Sequence, residues 1–179
     1  LIIGAESSRD QVLSESLKIA EICKENGALE PLFAETRDEQ DRILRIRSNI
    51  YSTLKSETAD ILDVTVPPAC IGKLIDTVDE IAKKHNIHLP VYGHAADGNL
   101  HPHIMKMKSM DLEYIEKLRR EIYEVALKMG GVITGEHGIG KIRTDKLHRY
   151  LDEKQIVLMR KIKDIFDPNN ILNPGKILA

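Results

Sequence analysis

The chain lacks an excess of charge of either sign: 26 basic and 28 acidic residues leave a formal net charge of −2. That balance removes any electrostatic case for nucleic acid or an anionic membrane surface as a partner. It also lacks a run of about 18 apolar residues that could cross a bilayer as a helix. No charged n-region, apolar h-region and cleavage site open it, so no transmembrane segment is expected. Cysteine is nearly missing: Cys23 and Cys70 stand alone, with neither a C-x-x-C spacing nor an even cluster. Two reduced, packed thiols and a cytoplasmic compartment follow. Trp is absent, aromatics are scarce, and the chain opens on Leu1-Ile2-Ile3-Gly4 without an initiator Met. It reads as a portion of something longer, entered partway along a strand.

What is present describes an ordinary globular protein. With 179 residues, 42% of them apolar, the chain can form one sizeable domain and bury about 70% of its unfolded surface. Residues 1–4 and 29–34 read as strands flanking an amphipathic helix over 11–25, one β-α-β unit. Thr36 followed by Glu39 is a capping box for a helix over 37–54. A strand over 61–66, a helix over 70–85, a hairpin of 88–94 and 99–105, and a helix over 111–129 come next. Asp152 with Gln155 opens another helix over 152–166, stopped at Asp167-Pro168. The tail from Ile171 is too short to fold alone and is expected to dock. The order suggests an α+β fold of two ferredoxin-like halves, helices on one face of an antiparallel sheet, plus a C-terminal helical segment. No linker or low-complexity stretch divides it.

Three of the seven histidines fall within residues 92–103. Asp97-Gly98 is a strong signal for a two-residue hairpin turn. With that turn His94 lies opposite His101 and Tyr92 opposite His103, and opposed Cβ atoms stand roughly 4.5 to 5.5 Å apart. Both imidazoles can then turn toward one metal ion, leaving a third ligand to come from elsewhere. Exposed or core-satisfied histidines are the plainer alternative. Pro102 lacks an amide hydrogen, so the second strand should be an edge, or that position should face away from its neighbour.

A second motif, from Gly135 to Lys141, fits the first seven residues of a phosphate-binding P-loop, but Ile142 then stands where a hydroxyl is needed and Glu136 would sit among phosphate oxygens. Read as a glycine-framed loop, it exposes Glu136, which supplies the missing third ligand, and His137, a candidate proton acceptor beside a metal. Arg47 falls within the apolar stripe of Ile43, Ile50 and Leu54. Its head either snorkels or meets an internal carboxylate, or it points at an anionic ligand.

Taken together, Gly93-His94-x-x-Asp97-Gly98-Asn99-Leu100-His101, Gly135-Glu136-His137-Gly138-Ile139-Gly140, Asp167-Pro168 and Leu172-Asn173-Pro174-Gly175-Lys176 resemble one family. It is the C-terminal, substrate-side domain of FAD-linked oxidases, the group of glycolate oxidase, D-lactate dehydrogenase and D-2-hydroxyglutarate dehydrogenase. The resemblance extends to Asp63-Val64-x-Val66-Pro67 and Arg47 and covers nearly the whole chain. It implies a flavoenzyme that oxidises a small D-2-hydroxy acid by hydride transfer to FAD. By position it makes His94, His101 and Glu136 ligands of a zinc-like divalent metal, His137 the proton acceptor, Arg47 the carboxylate clamp and His103 a residue bordering the substrate. Asn173 would reach the flavin.

Ala96 stands where relatives often have Gly, and Ile61 matches the lysine of 2-hydroxyglutarate-type relatives, which favours a short substrate such as lactate or glycolate. The flavin-binding domain would precede Leu1, on this chain or a separate one, so these residues alone are expected to bind FAD poorly and to be inactive. A homodimer is compatible with the resemblance. Two other readings use the same residues: a metal-dependent hydrolase acting through His94, His101 and Glu136, and a non-enzymatic ferredoxin-like binding module.

Overall fold

The structure, a computed structural model, describes residues 1–108, 110–141 and 143–178. Ile142, where the P-loop pattern breaks, lies outside the described residues. The chain divides into two compact units, one from Leu1 to Lys55 and one from Ser56 onward.

The first unit is helical. It holds α1 (Arg9–Glu25) and α2 (Arg37–Leu54). The capping box forms as its sequence predicts: the Glu39 amide donates to Thr36 Oγ1 at 3.3 Å, and the Thr36 amide donates to Glu39 Oε2 at 3.0 Å. The strands expected at 1–4 and 29–34 do not form. A strand is held by its ladder partner, and these stretches have none among the described residues; Leu1, Leu29 and Leu32 are exposed instead. The β-α-β unit is therefore replaced by two helices joined by irregular chain.

The second unit carries the sheet: β1 (Thr58–Ile61), β2 (Val64–Thr65), β3 (Val91–His94) and β4 (Asn99–Met105). All pairings are antiparallel, and β4 is central, with β1 and β2 along one side and β3 along the other. The fold is α+β. Pro102 is thus on an inner strand rather than an edge. Its carbonyl accepts the Leu62 amide at 2.9 Å, and the side on which it lacks a donor faces residues 62–63, where β1 has ended and β2 has not begun. The interruption of the neighbouring strand makes an inner proline tolerable.

Strand β4 explains the fold and the site together. Its residues alternate, Leu100, Pro102 and Ile104 on one face and Asn99, His101 and His103 on the other. Leu100 and Ile104 enter the core with Leu62, Val64 and Val66, and the layer above them comes from α3 (Ile71–His85) and α4 (Leu112–Lys128). Leu74, Val78 and Ile81 on α3, and Leu118, Ile122 and Ala126 on α4, recur at helical spacing and are buried. Each fully buried large aliphatic side chain contributes about 1.5–3 kcal/mol. Asp111 caps α4 by accepting the Tyr114 amide at 2.8 Å.

Past α4 the chain forms α5 (Thr144–Tyr150) and α6 (Glu153–Phe166). The box of Asp152 and Gln155 caps α6. Helix α5 is not legible in the sequence: it has seven residues, too few to show a period, and is anchored by buried Leu147. The tail docks, as expected. Asp167 accepts the amides of Ile171 and Leu172 at 3.0 and 2.9 Å, and the Ile177 amide donates to the Gly140 carbonyl at 2.8 Å. Among the described residues, no helix is long and apolar enough to cross a membrane.

Candidate functional site

The polar face of β4 is where the histidines gather. The hairpin differs from its sequence expectation: Ala95–Asp97 form a 3-10 turn with Gly98 at φ +74°, so the connection has four residues rather than two. His94 consequently pairs with Asn99, and Tyr92 pairs with His101. His94 and His101 become diagonal neighbours whose ring centroids stand 6.0 Å apart. Gly98 is required there, since a Cβ would collide with the Val66 carbonyl oxygen.

Opposite this face runs the loop of residues 133–141, fixed at several points. Val132 and Thr65 exchange backbone hydrogen bonds of 2.8 and 3.1 Å, and Ile133 and Ile139 are buried on either side of the glycine-framed segment. Gly135 permits the close approach: a Cβ would meet the Asn99 side-chain amide and the Thr65 hydroxyl.

The loop delivers Glu136 to the histidines. Its Oε1 lies 3.0 Å from His101 Nε2, 3.4 Å from His94 Nε2 and 3.8 Å from His137 Nε2. Donor atoms of His94, His101 and Glu136 all fall within 4.8 Å of one another. Donors bonded to one zinc at about 2.1 Å in tetrahedral array stand about 3.4 Å apart, so these separations fit a shared divalent ion. The His101 side chain is only 4% exposed while that of Glu136 is 51% exposed. One side of the cluster is thus embedded in protein and the other is open to solvent, the arrangement of a site that can admit a substrate.

His137 stacks on His101, with centroids 4.7 Å apart and planes 7° from parallel. Burial, then the neighbouring His137 charge, lowers the His101 pKa below its ordinary value, though Asp63 and Glu136 oppose this. The neutral imidazole that metal ligation requires is therefore favoured. His103 is fully buried one step further along the same face, its Nδ1 3.1 Å from Thr58 Oγ1, its Nε2 without a hydrogen-bond partner among the described residues and the Tyr92 ring 4.9 Å away. Burial, then the His101 charge, lowers its pKa as well.

Two residues to which sequence patterns assign no role complete this region. Asp63, fully buried in the gap between β1 and β2, accepts the amides of Gly135, Glu136 and His137 on Oδ2 at 2.9, 3.0 and 2.8 Å. Thr134 Oγ1 donates to the same oxygen at 3.4 Å. Asn99 donates from Nδ2 to Asp63 Oδ1 at 2.7 Å and to Thr65 Oγ1 at 3.0 Å. Burial alone would raise the Asp63 pKa, but the hydrogen bonds, that from Asn99 foremost, hold it below the ordinary carboxylate value. Only the placement of an Asp beside a strand pattern hints at this; its partners in the loop lie more than seventy residues further on.

Arg47 lies exposed on α2 of the first unit. Asn173, in the tail, is exposed with φ +51°, and Lys176 Nζ reaches its Oδ1 at 3.5 Å. Cys23 and Cys70 are free thiols.

Comparison with known proteins adds a lineage to this geometry. The family model described as FAD linked oxidases, C-terminal domain, matches residues 1–177. The chain is 42% identical over 164 residues to a D-lactate dehydrogenase of Archaeoglobus fulgidus, covering 92% of this chain and 37% of that protein. It is 36% identical over 183 residues to the glycolate oxidase subunit GlcD of Bacillus subtilis, covering 100% and 39% respectively. A D-2-hydroxyglutarate dehydrogenase of Stutzerimonas stutzeri is 29% identical over 185 residues, covering 99% and 40%. The chain thus spans about two-fifths of the length of these curated relatives.

Proposed function

The chain belongs to the family of FAD linked oxidases, C-terminal domain, and from that membership we propose that it forms the substrate side of a flavin-dependent oxidoreductase acting on a small 2-hydroxy acid. His94, His101 and Glu136 would hold a divalent metal of the zinc type. When bound, such a metal would supply Lewis acidity toward the substrate's hydroxyl and carboxylate oxygens, and FAD would supply the hydride acceptor. The chain's own part is to bind, orient and deprotonate. His137 takes the proton of the C2 hydroxyl on its imidazole as the C2 hydrogen departs, which leaves a 2-oxo acid. His103, buried behind His101 on β4, would back the substrate side of the cluster, and the planar guanidinium fork of Arg47 suits a substrate carboxylate. Asn173 contributes toward the flavin, whose main binding surface belongs to a partner domain or a separate chain. Ile61, opposite His103 in the β1–β4 register, offers no charge to a second carboxylate, which supports a short substrate of the lactate or glycolate kind.

The observation that carries this reading is the convergence of His94 Nε2 and His101 Nε2 on one oxygen of Glu136, at 3.4 and 3.0 Å, with His101 buried. The test is elemental analysis of the purified chain, wild type against His101→Ala, after reloading with zinc at neutral pH. Stoichiometric zinc in the wild type and its loss in the variant are expected. Wild-type chain that takes up no metal even after reloading would remove the site and with it this mechanism.

A further inference from the structure

We infer that Asp63 is the positioning residue of the cluster, one buried carboxylate that sets both the placement of the Glu136–His137 loop and the tautomer of His101. A carboxylate sealed from solvent is costly unless its lone pairs are occupied. Those of Asp63 are occupied almost entirely by the groups the cluster depends on. Three consecutive amides, those of Gly135, Glu136 and His137, converge on Oδ2, the concave backbone arrangement that binds anions. An asparagine at this position would offer the three amides only an uncharged oxygen and would set an NH2 group against the Asn99 donor, which weakens the anchor that aims Glu136 and His137 at β4.

Oδ1 does the second task. It takes one hydrogen bond from Asn99 and faces His101 Nδ1, which is buried, without a hydrogen-bond partner among the described residues and 3.7 Å away. That distance is about 0.7 Å beyond an ordinary hydrogen bond. A neutral imidazole carries its proton on one nitrogen only. Were it on Nε2, the Nδ1 lone pair would face a buried carboxylate oxygen with nothing between them. Glu136 Oε1, 3.0 Å from Nε2, competes for that proton while no ion lies between them; proton on Nδ1 removes the repulsion at Asp63 and frees the Nε2 lone pair for an ion shared with Glu136 and His94. Carboxylate, histidine and metal in this order is the arrangement by which outer groups orient metal ligands. Here the same carboxylate also holds the loop bearing another ligand.

The metal half of this inference rests on the proposed function; the tautomer half does not, and the experiment separates them. Ring-nitrogen NMR of the metal-free chain carrying Glu136→Ala, which removes the competing acceptor at Nε2, should show His101 protonated on Nδ1. Adding Asp63→Asn should abolish that preference, and zinc affinity of the Asp63→Asn chain with Glu136 intact should fall about 10–100-fold. An Nε2 proton or an even mixture with Asp63 in place overturns the inference. So does a folded Asp63→Asn chain that keeps wild-type zinc affinity and tautomer. If Asp63→Asn does not fold, the chain with Asp63 intact still decides the question. If no variant or wild type binds zinc, the metal reading fails while the tautomer result stands.

Discussion

His101 and His137 lie ring on ring, 4.7 Å between centroids and nearly parallel, although one side chain is buried on β4 and the other is half exposed on the loop. The buried ring feels the other's charge: His137 follows burial as a cause of the depressed His101 pKa. His137→Gln should therefore raise the His101 pKa in the metal-free chain. NMR titration of His101 checks this, and a value unchanged or lower would contradict it.

Gly135→Ala is expected to cost about 1–3 kcal/mol by overpacking against Asn99 and Thr65 and to displace the loop enough to impair zinc uptake. Gly138→Ala meets nothing within 4 Å, its φ of +70° being the sole source of strain. Urea unfolding and zinc titration of the two variants should separate them, with zinc binding reduced far more by the Gly135 change.

Acidification should destabilise the protein before ordinary carboxylates titrate. His101 and His103 have folded pKa values below 6.5 because they are buried, so the unfolded chain takes up protons first. The stability this represents is complete above 6.5 and is lost as pH falls through the folded values. His103→Gln should flatten the decline, seen as a smaller gap between urea midpoints at about pH 7.5 and about pH 5.5. An unaltered gap would exclude His103 as a source.

Ile122 on α4 is fully buried among Leu118, Leu100 and Ile104. Ile122→Ala should cost about 2–5 kcal/mol, transfer and cavity together, as measured by chemical denaturation. Zinc uptake by the folded fraction should survive, since the cavity opens on the face of the sheet away from the histidines.

Local chemistry makes much of the fold legible. The boxes at Thr36 and Asp152, and the apolar periods of α3 and α4, need only neighbours a few residues away, and they predict helices within about two residues of their bounds. Pairing is a non-local property, and there the sequence is a poorer guide. The apolar runs 1–4 and 29–34 have strand composition but no partner, and the Asp97-Gly98 turn belongs to a longer connection that moves His94 from His101 to Asn99. That shift is by two residues, which preserves the face each side chain occupies, so His94 and His101 still project together. Asp63 stands out in the sequence only as part of a motif. What it does depends on amides brought in from the far side of α3, β3, β4 and α4, a relationship that no spacing rule encodes.

The alternation along β4 has a consequence for the changes this protein could survive in evolution. Core and cluster draw on the same seven residues, Asn99–Met105, in a two-residue rhythm. A single-residue insertion or deletion inside that stretch would send the histidines into the apolar layer and Leu100 and Ile104 out toward solvent, losing fold and chemistry in one event. Length variation in homologous chains should instead be confined to connections such as residues 106–108, outside both the strand and the Gly98 turn. The folding of this segment thereby acts as a proofreading step for the site: a chain that misplaces its histidines has already failed to build a core.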